Sequence, residues 1–173
     1  MYEGTFPKKR YRKTLEFLKA NIPENSSILD LGIENPFSKI MKVEGFKVEN
    51  TTGEDLDENV TTIETSNADV VTAFEIFEHL LSPYTVLKSI KAKKLVASVP
   101  LKLWFAPAYR SKTDTWDRHY HEFEDWQFDW LLEKAGWKIK AREKWTNPTK
   151  KLGIRPILRR FTPRYYIVYA EKA

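Results

Sequence analysis

The chain has 173 residues and no cysteine. That excludes a disulfide framework, a thiolate metal site and a cysteine nucleophile, and it fits a cytoplasmic location. No apolar run reaches the roughly eighteen residues that a membrane-spanning helix needs. Residues 1–12 are basic and aromatic, but no apolar stretch follows them, so they do not form a secretory signal. Internal repeats and low-complexity tracts are also missing.

What is present fits one α/β domain, since the length is short for two. Apolar residues make up 42% of the chain and charged residues 31%, an ordinary balance with a somewhat charged surface. The net charge of +5 is uneven. Residues 140–164 hold nine Lys or Arg against one acid, while the remainder holds 20 bases and 23 acids. A patch of that kind attracts phosphate or an acidic surface, or else keeps a solvated loop soluble.

Periodicity divides the chain into alternating strands and helices. Tyr11, Leu15, Leu18 and Ile22 recur at helical spacing over residues 8–21, and Pro23 closes that helix. Residues 27–31 form a buried strand. Asn35 and Pro36 then supply an N-cap and a first-turn proline, Gly45 ends the helix, and residues 46–51 form a second strand. Residues 53–67 are polar and acidic. Residues 69–74 and 94–99 are apolar on both faces, as central parallel strands are. Ser82 and Pro83 start a helix between them. After a long loop, residues 124–135 form a helix carrying Trp126, Trp130 and Leu131 on one stripe, and Gly136 stops it. Residues 137–145 and 164–170 read as two late strands forming an antiparallel hairpin at one edge. The expected architecture is a mostly parallel sheet with helices on both faces.

Two segments carry the chemistry. S26-S-I-L-D-L-G32 is an apolar run that ends in an acid and a glycine and opens onto a helix. A68-D-V-V-T-A-F-E-I-F-E-H-L80 is a strand-like run that becomes acidic and bears a histidine. Together, in order and over nearly the whole chain, they resemble the first and fourth strands of class I S-adenosylmethionine-dependent methyltransferases. The resemblance implies a Rossmann-like fold in which residues 53–67 replace a reduced third strand. It also implies S-adenosylmethionine as cofactor. Asp30 and Gly32 would receive its methionine end, and Ala73, Phe74 and Glu75 would pass that end from the other side. Glu54 or Asp55 would bind the ribose hydroxyls. The first turn departs from the family's acid-x-Gly-x-Gly-x-Gly pattern, because it reads D30-L-G-I-E-N-P36. Glu34 stands where a second glycine would let the backbone approach a ligand. Its charge would oppose the cofactor carboxylate or face its ammonium, and the start of the following helix would offer N–H groups to an anion.

His79, beside Glu78, and His119 are the candidate general bases, because a histidine titrates near neutrality and an acid can orient its ring. W116-D-R-H-Y-H-E-F123 resembles the acceptor side of such methyltransferases. Asp117, His119 and His121 lack a ligand pair at helix spacing, so no metal site is expected. Trp126, Trp130 and Trp137 are expected to cover the sheet as core. Trp104, Phe105 and Tyr109 are placed at an acceptor pocket or lid. The basic insertion at about 146–164 is expected as a mobile extension, with Ile154, Ile157, Leu158 and Phe161 on the apolar side of a short helix laid on the domain or a second subunit. The expected function is methyl transfer to an oxygen or nitrogen of a small or polar acceptor, anionic acceptors included. The alternative is a non-catalytic relative that binds an anionic partner through the basic insertion. A nucleic-acid acceptor is disfavoured, because no Asn-Pro-Pro-aromatic motif is present.

Overall fold

A computed structural model describes residues 7–148 and 152–173. The start of the basic, aromatic N-terminus and residues 149–151 of the basic insertion lie outside the described residues.

The chain opens with α1 (Lys8–Asn21), followed by β1 (Ser27–Asp30), α2 (Pro36–Val43) and β2 (Lys47–Asn50). A short α3 (Thr61–Thr65) leads to β3 (Val70–Phe74), a single 3-10 turn at Phe77–His79, α4 (Pro83–Ser89) and β4 (Lys94–Pro100). The last part holds α5 (Asp125–Lys134), β5 (Trp137–Thr146), α6 (Ile154–Phe161) and β6 (Pro163–Lys172). The six strands form one sheet in the order β2-β1-β3-β4-β6-β5. The first four are parallel to one another, and β6 runs antiparallel to both β4 and β5. The expected architecture is therefore present. Between β2 and β3 the chain makes only the five-residue α3 and no strand, so β2 is the sheet edge.

Successive strand residues point to opposite faces, and this alternation builds two cores. Ile28, Val70, Val96 and Ile167 pack with Phe17, Leu18, Phe37 and Met41 of α1 and α2. Leu29, Val71, Leu95 and Val168 pack on the other face with Leu87 of α4 and Phe128 and Leu132 of α5. A fully buried side chain of this size contributes about 2 kcal/mol, so both helical layers are tied to the sheet. The buried stripe of α5 is Phe128, Asp129 and Leu132, which corrects the expectation for the tryptophans. Trp126 and Trp130 are exposed and stack edge-on with ring centroids 4.7 Å apart, while Trp137 alone of the three is core. The reason is Tyr166 on β6, which donates to the Asp129 carboxylate at 2.6 Å and draws that side of the helix inward. In α6, Ile154, Ile157 and Phe161 are exposed, so its apolar side does not lie on the domain as expected.

One buried acid joins the elements around the first turn. Asp30, at the end of β1, accepts hydrogen bonds from Thr72 of β3 at 2.7 Å, Ser38 of α2 at 2.9 Å and Asn50 of β2 at 3.1 Å. Burial pushes its carboxyl up to about 6, against these three hydrogen bonds, which pull it down. A carboxyl with a raised folded pKa favours the folded state most when protonated. Its contribution is complete below the unfolded value near 3.8 and is lost as pH rises through about 6. The difference is worth about 3 kcal/mol. Urea denaturation across this pH range is expected to show Asp30→Asn losing a fall in stability of that size relative to the parent protein. An identical pH slope in the two proteins would contradict it.

Candidate active site

The parallel strands β1 and β3 are neighbours, and both end with a backbone turn of unusual hand. Gly32 has φ +104°, and Glu75 has φ +59° although it carries a side chain. Only glycine adopts such angles without cost, so Glu75 stores about 1 kcal/mol or more of strain. Its side chain accounts for the position. One carboxylate oxygen accepts from Ser98 of β4 at 2.9 Å, and the other pairs with Arg10 of α1 at 3.5 Å. Burial pushes the Glu75 carboxyl up, and the Arg10 charge and the Ser98 hydrogen bond pull it back only in part.

The first turn folds inward on itself. The Gly32 N–H donates to the Thr51 hydroxyl at 2.7 Å, and a Cβ at Gly53 would lie 2.8 Å from Ile33 Cγ2. The loops after β1 and β2 therefore touch, and Gly53 is required for that contact. Asn35 caps α2 by accepting from the N–H groups of Phe37 and Ser38, at 2.8 and 3.2 Å. Those N–H groups are thus taken, which corrects the expectation that they face an anion. Glu34 is exposed and pairs with Lys42 and, at 3.8 Å, with Lys39. Its charge is thereby offset by lysines one to two turns into the α2 helix that follows it. Asp30, expected beside the cofactor, is instead sealed beneath the turn by the contacts given above.

After β2, Glu54 accepts from the Thr52 N–H at 2.7 Å and the Thr52 hydroxyl at 2.9 Å through one oxygen. Its other oxygen is buried and has no hydrogen-bond partner. Asp55 instead closes its own turn by accepting from the Asp57 N–H at 3.0 Å. Ala73 is fully buried within β3, and Phe74 packs edge-on against Phe37 at 5.3 Å.

Beyond Glu75 lies a pocket of roughly 150 Å³ whose walls include Arg10, Glu75, Glu78, His79, His119 and Arg164. The two candidate bases meet there, with ring centroids 4.7 Å apart. Burial holds the His119 ring at a pKa of about 4, with the nearby His79 and Arg164 adding to the effect, so His119 is neutral at physiological pH. Burial, and next the Glu75 charge, push the Glu78 carboxyl well up. His121 stands apart, its Nε2 3.3 Å from the Leu81 carbonyl. A larger cavity of about 570 Å³ adjoins this pocket through Tyr109 and His119, and Arg110, Lys112 and Arg118 line it. Of the loop aromatics placed at this site, Tyr109 lines both cavities and hydrogen-bonds Asp117, and Trp104 is exposed. Arg10 and Arg164 were not legible as site residues, since only the fold brings the chain's two ends together. The one local sign was Ser98, a polar residue inside an apolar strand.

No protein-family model matches the chain, and no curated protein is similar to it in sequence. Solved structures share its fold. A SAM-dependent methyltransferase from Archaeoglobus fulgidus superposes with a TM-score of 0.62 at 17% identity, covering 95% of this chain and 92% of that one. The N-terminal domain of EvdMO1 with SAH bound gives 0.56 at 13% identity, covering 94% and 80%. The [4+2]-cyclase SpnF gives 0.61 at 13% identity, covering 99% and 85%. The chain thus has the Rossmann-like fold of class I S-adenosylmethionine-dependent methyltransferases. The cyclase among these structures shows that the fold alone does not fix the reaction.

Glu75→Gly removes both the strained backbone and a carboxylate facing Glu78. It is expected to raise the thermal midpoint by about 3 °C, read by calorimetry. A lower midpoint would mean that the Ser98 and Arg10 contacts outweigh the strain.

Proposed function

We propose that the chain transfers a methyl group from S-adenosylmethionine to an oxygen or nitrogen of a small anionic acceptor. The carrying observation is the pair of left-handed turns at Gly32 and Glu75, which end adjacent parallel strands. Ligands of open α/β sheets bind at such strand ends. The residues present fit most of the cofactor. Gly32 has no Cβ to hold a ligand off, Glu75 offers a carboxylate to an ammonium, and Glu54, held by Thr52 after β2, offers a carboxylate to a ribose hydroxyl. The α2 N-terminus does not serve the cofactor carboxylate, because Asn35 occupies it. When bound, S-adenosylmethionine supplies a methyl group on a positively charged sulfur.

The chain's own contribution is chiefly proximity and orientation. Arg110, Lys112 and Arg118 would draw an anionic acceptor into the larger cavity, a role assigned from sequence to the basic insertion. Tyr109 and His119 stand where that cavity meets the smaller pocket beside Glu75. A neutral His119 has a lone pair there for the acceptor's proton, and His79 lies against it.

Calorimetric titration with S-adenosylhomocysteine tests this function. One site per chain is expected. Glu54→Ala should weaken it about tenfold or more, as loss of a hydrogen bond to a charged group does. Arg118→Ala should leave it unchanged while weakening the acceptor. Absence of binding to the folded parent protein would overturn the proposal.

A further inference from the structure

Glu78 is a carboxylate that the methyl-transfer scheme does not use. It sits in the 3-10 turn after β3, with its side chain only 1% exposed. Its Oε1 lies 3.7 Å from His79 Nε2, and its Oε2 has no hydrogen-bond partner. His119 presents a second unpartnered buried atom, Nδ1, and Glu122 at 3.8 Å is beyond hydrogen-bond reach of it. The His79 Nδ1 is 2.9 Å from the Arg118 carbonyl oxygen. An acceptor there requires Nδ1 to carry the proton, which leaves the Nε2 lone pair turned toward Glu78. One ligand atom from each of Glu78, His79 and His119 lies within 4.8 Å of the others. Buried polar atoms without partners are costly, and two that converge beside the His79 ring have a common remedy.

We propose that Glu78, His79 and His119 bind a divalent transition-metal cation. Two imidazole nitrogens and one carboxylate oxygen suit a borderline cation such as Zn²⁺ or Co²⁺ better than Ca²⁺ or Mg²⁺, which prefer oxygen alone. The Arg118 carbonyl on His79 is the outer hydrogen bond that fixes the tautomer of a metal-bound histidine. Arg10 and Arg164 share the pocket; Glu75 offsets the charge of Arg10 at 3.5 Å, whereas Arg164 donates to the neutral Leu101 carbonyl at 2.5 Å and keeps its charge near the ligands.

Three protein ligands leave a coordination position open toward the pocket. An acceptor hydroxyl oxygen bound there would lose its proton to water more readily, with its O–H bond broken and the oxygen left as the nucleophile. The two histidines would then serve as ligands rather than as bases. This role rests on the methyl-transfer reading, whereas the binding of the cation rests on the three side chains alone.

The test uses the full chain, stripped with a chelator and titrated with Co²⁺. The ligand-field absorption of Co²⁺ reports nitrogen and oxygen coordination, and the chain has no thiolate to mask it. One equivalent is expected. His119→Ala and Glu78→Gln should each weaken binding about tenfold or more, and His121→Ala should leave it unchanged. Because Glu78→Gln alters a buried site, circular dichroism must show that it is folded, and the less buried His79→Ala provides a second ligand loss. No ligand-field spectrum in the folded parent protein would overturn the proposal, as would equal binding by His119→Ala. Titration with S-adenosylhomocysteine in the same samples separates the two readings. Nucleoside binding without Co²⁺ sinks only the metal site, and Co²⁺ binding without nucleoside sinks only the methyl-transfer reading.

Discussion

The carboxylate of Asp30 holds the C-terminal ends of the parallel strands together. It accepts from Thr72, Ser38 and Asn50, which come from β3, α2 and β2, while its own residue ends β1. Four elements therefore converge on one buried acid. Thr72 and Ser38 are fully buried, while Asn50 also donates to the Gly32 carbonyl at 3.2 Å. Losing the acceptor would leave several donors unsatisfied, which costs more than any one of the bonds contributes. Gly32 follows Asp30 by two residues, and its N–H is held by Thr51, the residue after β2. The turn is thus fixed from below and from the side, and its outer surface is left toward the crevice.

Charge is organised around that crevice in two tiers. Near the sheet, Glu75 and Glu78 are buried acids with raised pKa values, and Arg10 and Arg164 arrive from the two ends of the chain to share their pocket. Farther out, Arg110, Lys112 and Arg118 make the larger cavity basic. The inner pocket sets two carboxyls against two guanidinium groups, and the basic outer one suits an anionic substrate. The strained backbone at Glu75 lies where the two β-strand ends meet, and strain of this kind persists only where surrounding contacts enforce it.

Most of the fold was legible because strands with two apolar faces and capped helices leave strong local patterns. Asn35 and Pro36 marked α2, and its capping box forms as that pair suggested. The reduced segment after β2 was also readable, since its residues are too polar for a buried strand. The α5 tryptophans misled because hydrophobicity was taken as burial. Phe128 and Leu132 fill the core, and the contact that turns the helix, Tyr166 to Asp129, spans 37 residues. Of the candidate site residues, Glu75, His79 and His119 were named from the sequence, and the structure brings those three to one pocket. The site's electrostatics were not legible, since Lys39 and Lys42 offset Glu34 and Asn35 consumes the helix N–H groups. Such compensation depends on side-chain direction, which a linear pattern does not carry.

The central claim is that the ends of β1, β2 and β3 form one nucleoside-binding crevice. Amide resonances of the ¹⁵N-labelled chain, followed as S-adenosylhomocysteine is added, test it most directly. The account predicts saturable shifts at Gly32, Gly53 and Glu75, with α6 and the β5 edge unmoved. Saturating ligand that leaves Gly32 and Glu75 in place, or shifts gathered on α6 instead, would contradict it.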